Sequence, residues 1–211
     1  MTFSICIRTI IRPVDYCRSV IMRLAETNSL CHTSVIGFHV QHGEFLTPNM
    51  NGVTALRLAA KDKADWILFL EDDIDIIDDF IGSVERWITK FAHPEILVYP
   101  LCSFYPEISR SFHKDGVWQI STDLYYGSQA ILFRTQDALD YANWLAMRPE
   151  VETQFDLNIV HWHANRRPKV TVFISPAPCF VDHIGKESLM GTWERTGSVQ
   201  DFAGRQWSYH G

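Results

Sequence analysis

The chain has 211 residues, 46% hydrophobic and 13% aromatic, with a formal net charge of −6 and a sequence pI of about 5.8. At ~100–200 residues per domain it is one domain. It is too aromatic for a disordered chain and too acidic for a general binder of phosphate backbones, which needs a basic face. Cys6, Cys17, Cys31, Cys102 and Cys179 form an odd set without a CxxC pair, most of them in apolar surroundings. Buried free thiols and a reducing compartment follow, and the expected location is the cytoplasm. No apolar run approaches the ~18 residues of a membrane span, and the N-terminus lacks a signal-peptide cleavage site.

In chain order, Phe3–Thr9 reads as a short apolar strand. Pro13 opens a helix with Cys17, Val20, Ile21 and Leu24 on one face. Ser34–Val40 is a second strand, and a helix from about Gly52 to Lys61 turns Val53, Leu56 and Ala60 inward. Trp66–Leu70 is continuously apolar, as a strand buried on both faces requires. A helix from about Asp79 carries Phe80, Val84, Trp87, Ile88 and Phe91 in register, with Asp78 or Asp79 as its cap. Strands at Glu95–Tyr99, Gln129–Phe133 and Val170–Ile174 and helices at Gln136–Met147 and Phe155–Asn165 complete the pattern. Residues 191–211, rich in Gly, Ser and Thr, read as a loop-rich cap. The β-α alternation predicts an α/β sandwich whose mostly parallel central sheet is flanked by helices, with its site at the carboxyl ends of strands.

At one such end, Trp66-Ile-Leu-Phe-Leu runs into Glu71, Asp72 and Asp73. Alternation places Glu71 and Asp73 on one side of the strand and Asp72 on the other. Packed carboxylates repel, and a divalent cation relieves that cost. Oxygen ligands suit Mg²⁺ or Mn²⁺, which complete their shells with water and substrate phosphates. The segment therefore reads as a metal–diphosphate site, whereas Asp75, Asp78 and Asp79 read as solvated or helix-capping.

The stretch from Asn51-Gly52 through Arg57 to Leu70-Glu71-Asp72-Asp73 resembles the centre of the GT-A fold glycosyltransferases of the family-2 type, with an LEDD variant of their DxD motif. Arg8, Thr9 and Arg12 resemble the nucleotide-binding first strand of that fold. The resemblance implies a GT-A (Rossmann-like) sandwich over residues 1–211. Residues 1–100 would form a nucleotide-sugar-binding half and 101–190 an acceptor-side half. It also implies a nucleotide-diphosphate sugar donor, a UDP-sugar foremost. Asp73 would bind the bridging metal, Glu71 the ribose or the metal, and Asp72 the donor sugar. Arg57 and the first-strand residues would serve the nucleotide.

In the second half, Val181-Asp182-His183-Ile-Gly185-Lys186-Glu-Ser188 follows a strand. Imidazole is a fitting further ligand beside carboxylates, and Lys186 and Ser188 can donate to phosphate oxygens. Several GT-A families have a similar segment in which the His completes the metal site. Asp156 begins a helix, where a carboxylate caps well; in inverting GT-A enzymes an acid near this point is the acceptor's base, and both readings stand. Tyr125 to Gln129 resembles a loop on the acceptor side. His161 and His163 are two residues apart on a helix and cannot share one ion. The basic run Arg166-Arg167-Pro168-Lys169 suits a helix end and is the one place for an anionic acceptor such as DNA; phage enzymes of this kind glycosylate hydroxymethylated bases. Two other readings compete. Asp73-Ile-Asp75-Ile-Ile77 resembles the nucleophile motif of haloacid-dehalogenase-type phosphatases, and a sugar-nucleotide or glycan binder without catalysis needs only the binding residues.

Overall fold

A computed structural model describes residues 1–10, 15–26, 34–44, 46–101, 110–114, 116–125, 127–148, 154–184, 197–200 and 206–209. The first half contains β1 (Phe3–Thr9), α1 (Tyr16–Glu26), β2 (Val35–His42), α2 (Pro48–Ala60), β3 (Trp66–Glu71), β4 (Ile74–Ile76), α3 (Phe80–Phe91) and β5 (Tyr99–Pro100). The second contains β6 (Arg110–Lys114), β7 (Val117–Ser121), β8 (Ala130–Arg134), α4 (Thr135–Ala146), α5 (Phe155–Arg166), β9 (Val172–Pro176) and β10 (Val181–His183). In the tail, read from the sequence as loop, β11 (Gly197–Gln200) pairs antiparallel with β12 (Gln206–Tyr209).

The central sheet has the order β2-β1-β3-β8-β5. β2, β1 and β3 are mutually parallel, while β8 runs antiparallel to both β3 and β5. Four strands therefore share one direction and β8 opposes them, which makes the sheet mixed. Both faces are covered. Ile5, Ile7, Leu68 and Leu70 pack with α1 and α3, and Cys6, Ile67, Phe69 and Phe133 pack with α2, α4 and α5. Alternate residues of one strand thus serve two cores, which is why β3 reads as unbroken hydrophobicity.

Local chemistry explains where the elements depart from the pattern. Helix α2 starts before Gly52 because Thr47 caps it, accepting from the Met50 N–H, and Pro48 suits its first turn. Strand β5 is two residues long because the carbonyls of His93 and Ile96 accept from the Arg134 guanidinium instead of from a neighbouring strand. Asp79 occupies the N-cap of α3 but does not cap it; its φ is 48° and its carboxylate pairs with Arg86. The described cysteines Cys6, Cys17 and Cys179 are free and buried. Burial raises the Cys6 thiol, and burial with the charge of Asp72 raises Cys17 to about 11.

On α5, His161 is exposed, whereas His163 is wholly buried with its ring edge-on to Phe173 at 4.7 Å. Burial, then the charge of Arg167, lowers its pKa from 6.5 to about 4. Neutral His163 is what the fold accommodates, so its contribution is complete above pH 6.5 and is lost as pH falls toward 4. Urea denaturation should register a loss of roughly 3 kcal/mol across that window. His163→Phe should remove this part of the slope and keep the contact with Phe173.

Candidate active site

The carboxyl ends of β1 and β3 lie side by side, with Arg8 in register with Glu71. The three acids that close β3 go to three different partners. Arg8 Nη2 forms an ion pair with Glu71 Oε1, and Ser128 Oγ donates to the same oxygen at 2.5 Å. Thr9 Oγ1 donates to Asp72 Oδ2 at 2.6 Å. His183 Nε2 lies 3.2 Å from Asp73 Oδ2.

Alternation accounts for the first two. Glu71 follows Phe69 on the α2–α5 face, and Asp72 turns to the opposite face, where the Cys17 thiol adjoins Thr9. Asp72 is buried, with its Oδ2 accepting from Thr9. Thr9 is buried as well, and its carbonyl accepts from Asn51 Nδ2 at 3.0 Å. Asp73 lies beyond the end of the strand, where the chain bends into β4, and alternation no longer places it. Its neighbour is set by β4–β10 pairing: His183 is in register with Ile74, and the Ile184 N–H donates to the Asp73 carbonyl at 2.9 Å.

Arg8 has more partners than the sequence suggests. Besides Glu71 it donates to the Pro48 carbonyl at 3.2 Å, and its guanidinium lies over the rings of Phe155 and Phe69, 5.1 and 5.5 Å from their centroids. Ser128 lies in the Tyr125–Gln129 stretch, and no local pattern singles it out. It follows Gly127, whose φ of 131° favours glycine and whose N–H donates to Asp156 Oδ2 at 2.8 Å. Asp156 Oδ1 accepts from the Leu157 N–H at 3.0 Å. Burial, and next the charge of Glu71, raise the Asp156 carboxyl against the pull of these N–H groups. Asp156 thus lies within electrostatic reach of the strand end.

Other expected residues fall elsewhere. Arg57 is exposed and donates to Asn143 of α4 at 2.9 Å; it stands nine positions beyond Pro48 on the helix, about 13 Å of rise, so the structure does not bring it to the carboxylates. Arg12, Lys186 and Ser188 lie outside the described residues, as do Pro13, Cys31, Cys102, Tyr126 and Gly185. Asp75 meets Arg23 at 3.4 Å, while Asp73 meets His183, so the two acids of the phosphatase-like motif are divided between different partners. Within the basic run, Arg166 is paired bidentately with Asp140, and Arg167 forms an ion pair with Glu95 at 3.3 Å.

The donor set at Asp73 and His183 fits a divalent cation. It combines a carboxylate oxygen with an imidazole nitrogen 3.2 Å apart, close enough to share one ion at bond lengths of ~2.1 Å. Among the described residues no group of three or more His, Cys, Asp or Glu is placed to hold an ion. Glu71, expected as a third ligand, is committed to Arg8 and Ser128, on the face to which strand alternation turns it.

No protein-family model and no curated sequence matches the chain. Solved structures do resemble it. A glycosyltransferase involved in the glycosylation of the major capsid of PBCV-1 aligns with a TM-score of 0.59 and 15% identity, over 89% of this chain and 95% of that one. A197 from STIV aligns with a TM-score of 0.57 and 11% identity, over 100% and 95%. The chain shares its GT-A type fold with the PBCV-1 glycosyltransferase. Among the described residues no helix is long and apolar enough to cross a membrane.

Removing Arg8 leaves the Glu71 carboxylate partly buried beside one hydroxyl. Arg8→Met should therefore cost about 2–4 kcal/mol in urea denaturation at pH 7, and adding Glu71→Gln should recover most of it. Additive losses would mean that the pair is not coupled.

Proposed function

We propose that this protein is a metal-dependent glycosyltransferase that moves a sugar from a nucleotide-diphosphate sugar, a UDP-sugar foremost, to an acceptor hydroxyl. The observation that carries the reading is that two separate arms of the chain meet at one strand end. His183 comes to Asp73 and Ser128 to Glu71, and Asp156 accepts from the N–H of Gly127, next to Ser128 in the chain. A fold of this type hosts many activities, so the weight rests on these side chains.

Asp73 and His183 would hold Mn²⁺ or Mg²⁺, which when bound supplies positive charge against the leaving diphosphate. Lys186 and Ser188 follow His183 closely in the chain and would donate to phosphate oxygens, and Arg12 would contribute charge from the first-strand side. Arg8, held by Glu71 and the two phenyl rings, borders the nucleotide. Asp156 acts as the base. The acceptor O–H gives its proton to the Asp156 carboxylate, and the acceptor oxygen bonds to the anomeric carbon. The bond from that carbon to the phosphate oxygen breaks, and its electron pair departs on the diphosphate. Burial and the charge of Glu71 raise the Asp156 carboxyl, the direction that makes its carboxylate a stronger base.

The test is a thermal-shift screen of UDP-glucose, UDP-galactose, UDP-N-acetylglucosamine and GDP-mannose with and without Mn²⁺, since a ligand that binds the folded state raises its stability. A Mn²⁺-dependent rise with at least one of them is expected, and none with any would sink the reading. In calorimetry Asp73→Asn should lose the Mn²⁺-dependent part of the affinity while the fold survives; unchanged affinity would remove Asp73 from the metal site. Asp156→Asn should slow turnover ~10²–10⁴-fold and leave donor affinity intact, because a base acts on the acceptor in the transition state. Near-wild-type turnover would take Asp156 off the catalytic list and point to a retaining course.

A further inference from the structure

Asp156 stands in the first turn of α5, where the Gln154 side chain makes no cap bond and the Gln154 carbonyl accepts from the Asn158 N–H at 3.3 Å and from Asn158 Nδ2 at 3.0 Å. The two N–H groups on the Asp156 carboxylate orient the group itself. They leave open what holds the backbone beneath it.

The answer lies one residue earlier. The ring of Phe155 stacks on Phe69 of β3, with centroids 5.0 Å apart and planes at 16°, and meets Tyr141 of α4 edge-on at 5.2 Å. The Arg8 guanidinium lies over the same ring. On a further side the ring passes over Gly52 of α2, where even a methyl group would collide with it. The Phe155 backbone is held too, because the Tyr141 hydroxyl donates to its carbonyl at 2.7 Å inside the core. Tyr141 is fully buried and stacks on Phe133 of β8, with centroids 6.1 Å apart and planes at 11°, so its hydroxyl is fixed relative to the sheet. Phe155 is thus a spacer between Asp156 and Phe69, which lies two residues before Glu71 in β3.

We infer that Tyr141 and Gly52 are positioning residues for Asp156, acting through Phe155: Tyr141 by holding the Phe155 carbonyl, and Gly52 by making room for its ring. Neither touches the reacting atoms. The inference rests on the reading of Asp156 as the base. The physical expectation is a loss confined to the chemical step, since a misplacement of about 1 Å in a reacting group can cost ~10²-fold in rate while the distant donor contacts stay as they were.

The experiment measures Mn²⁺-dependent release of nucleoside diphosphate from whichever of the four screened sugars binds, with water as acceptor. It compares wild type with Tyr141→Phe, Gly52→Ala, Gly52→Ala/Phe155→Leu and Asp156→Asn. Tyr141→Phe keeps the ring and removes one hydrogen bond. It should lower kcat ~10-fold with donor KM within ~2-fold, and the melting temperature should change little. Gly52→Ala should lose ~10²-fold in kcat, and Phe155→Leu in the same chain should restore part of it by relieving the collision. Should Gly52→Ala fail to fold, Tyr141→Phe decides alone. Wild-type kcat in Tyr141→Phe, or parallel changes in kcat and KM, would overturn the positioning role while an impaired Asp156→Asn keeps the base. Full turnover in Asp156→Asn would overturn the base and the positioning role together.

Discussion

Three consecutive carboxylates at the end of one strand repel one another, and the site is built around relieving that repulsion. Each acid has its own partner from outside β3: Arg8 with Ser128 for Glu71, Thr9 for Asp72 and His183 for Asp73. Unpartnered charge in this partly dry place would be expelled to solvent or neutralised by protonation. Because Arg8 and Thr9 end β1 and Ser128 precedes β8, the charges themselves tie the neighbouring strands to β3. The charge requirement of the acids and the assembly of the sheet end are one problem with one solution.

The sheet beneath makes this possible. Its two faces are sealed by separate cores, so the strand ends are the place where polar groups gather. Aromatic rings carry the order of the core up to that edge. Phe69 underlies Phe155, Phe155 meets Tyr141, and Arg8 covers the Phe69–Phe155 stack from the polar side. A cation above stacked rings is attracted by their faces and also excludes water from them. One arginine thereby compensates Glu71 and closes the top of the core.

Much of the fold was legible in the chain because local patterns produce it. β1 and the apolar run of β3 were placed within a residue of where they stand, since continuous apolarity records burial on both faces. α1, α4 and α5 followed from periodic apolar residues and proline stops. Of the strands that local pattern does not show, β4 and β10 are only three residues long and carry no period. β8 was found as a strand, but its direction was not, because direction depends on connections and not on the side chains of the strand.

Within the site, the sequence by itself determined that an apolar strand ends in three acids, and it offered Arg8, Thr9, Asp156 and a histidine loop as candidate polar groups around them. Residue type and alternation suffice for that. Only the tertiary structure decided which acid meets which partner. Alternation stops where the strand stops, so Asp73 is placed by the β4–β10 pairing with residues more than a hundred positions away. The same holds for Arg57, which a local motif assigns to the nucleotide and helix geometry carries to Asn143, and for Arg166 and Arg167, whose charge is taken up by Asp140 and Glu95. Tyr141 and Gly52 are ordinary core residues in the sequence, and their link to Asp156 exists only because three helices and the sheet converge on one phenyl ring. Contacts between distant segments leave no local signature, since each side chain is chosen against neighbours that the folded chain alone supplies.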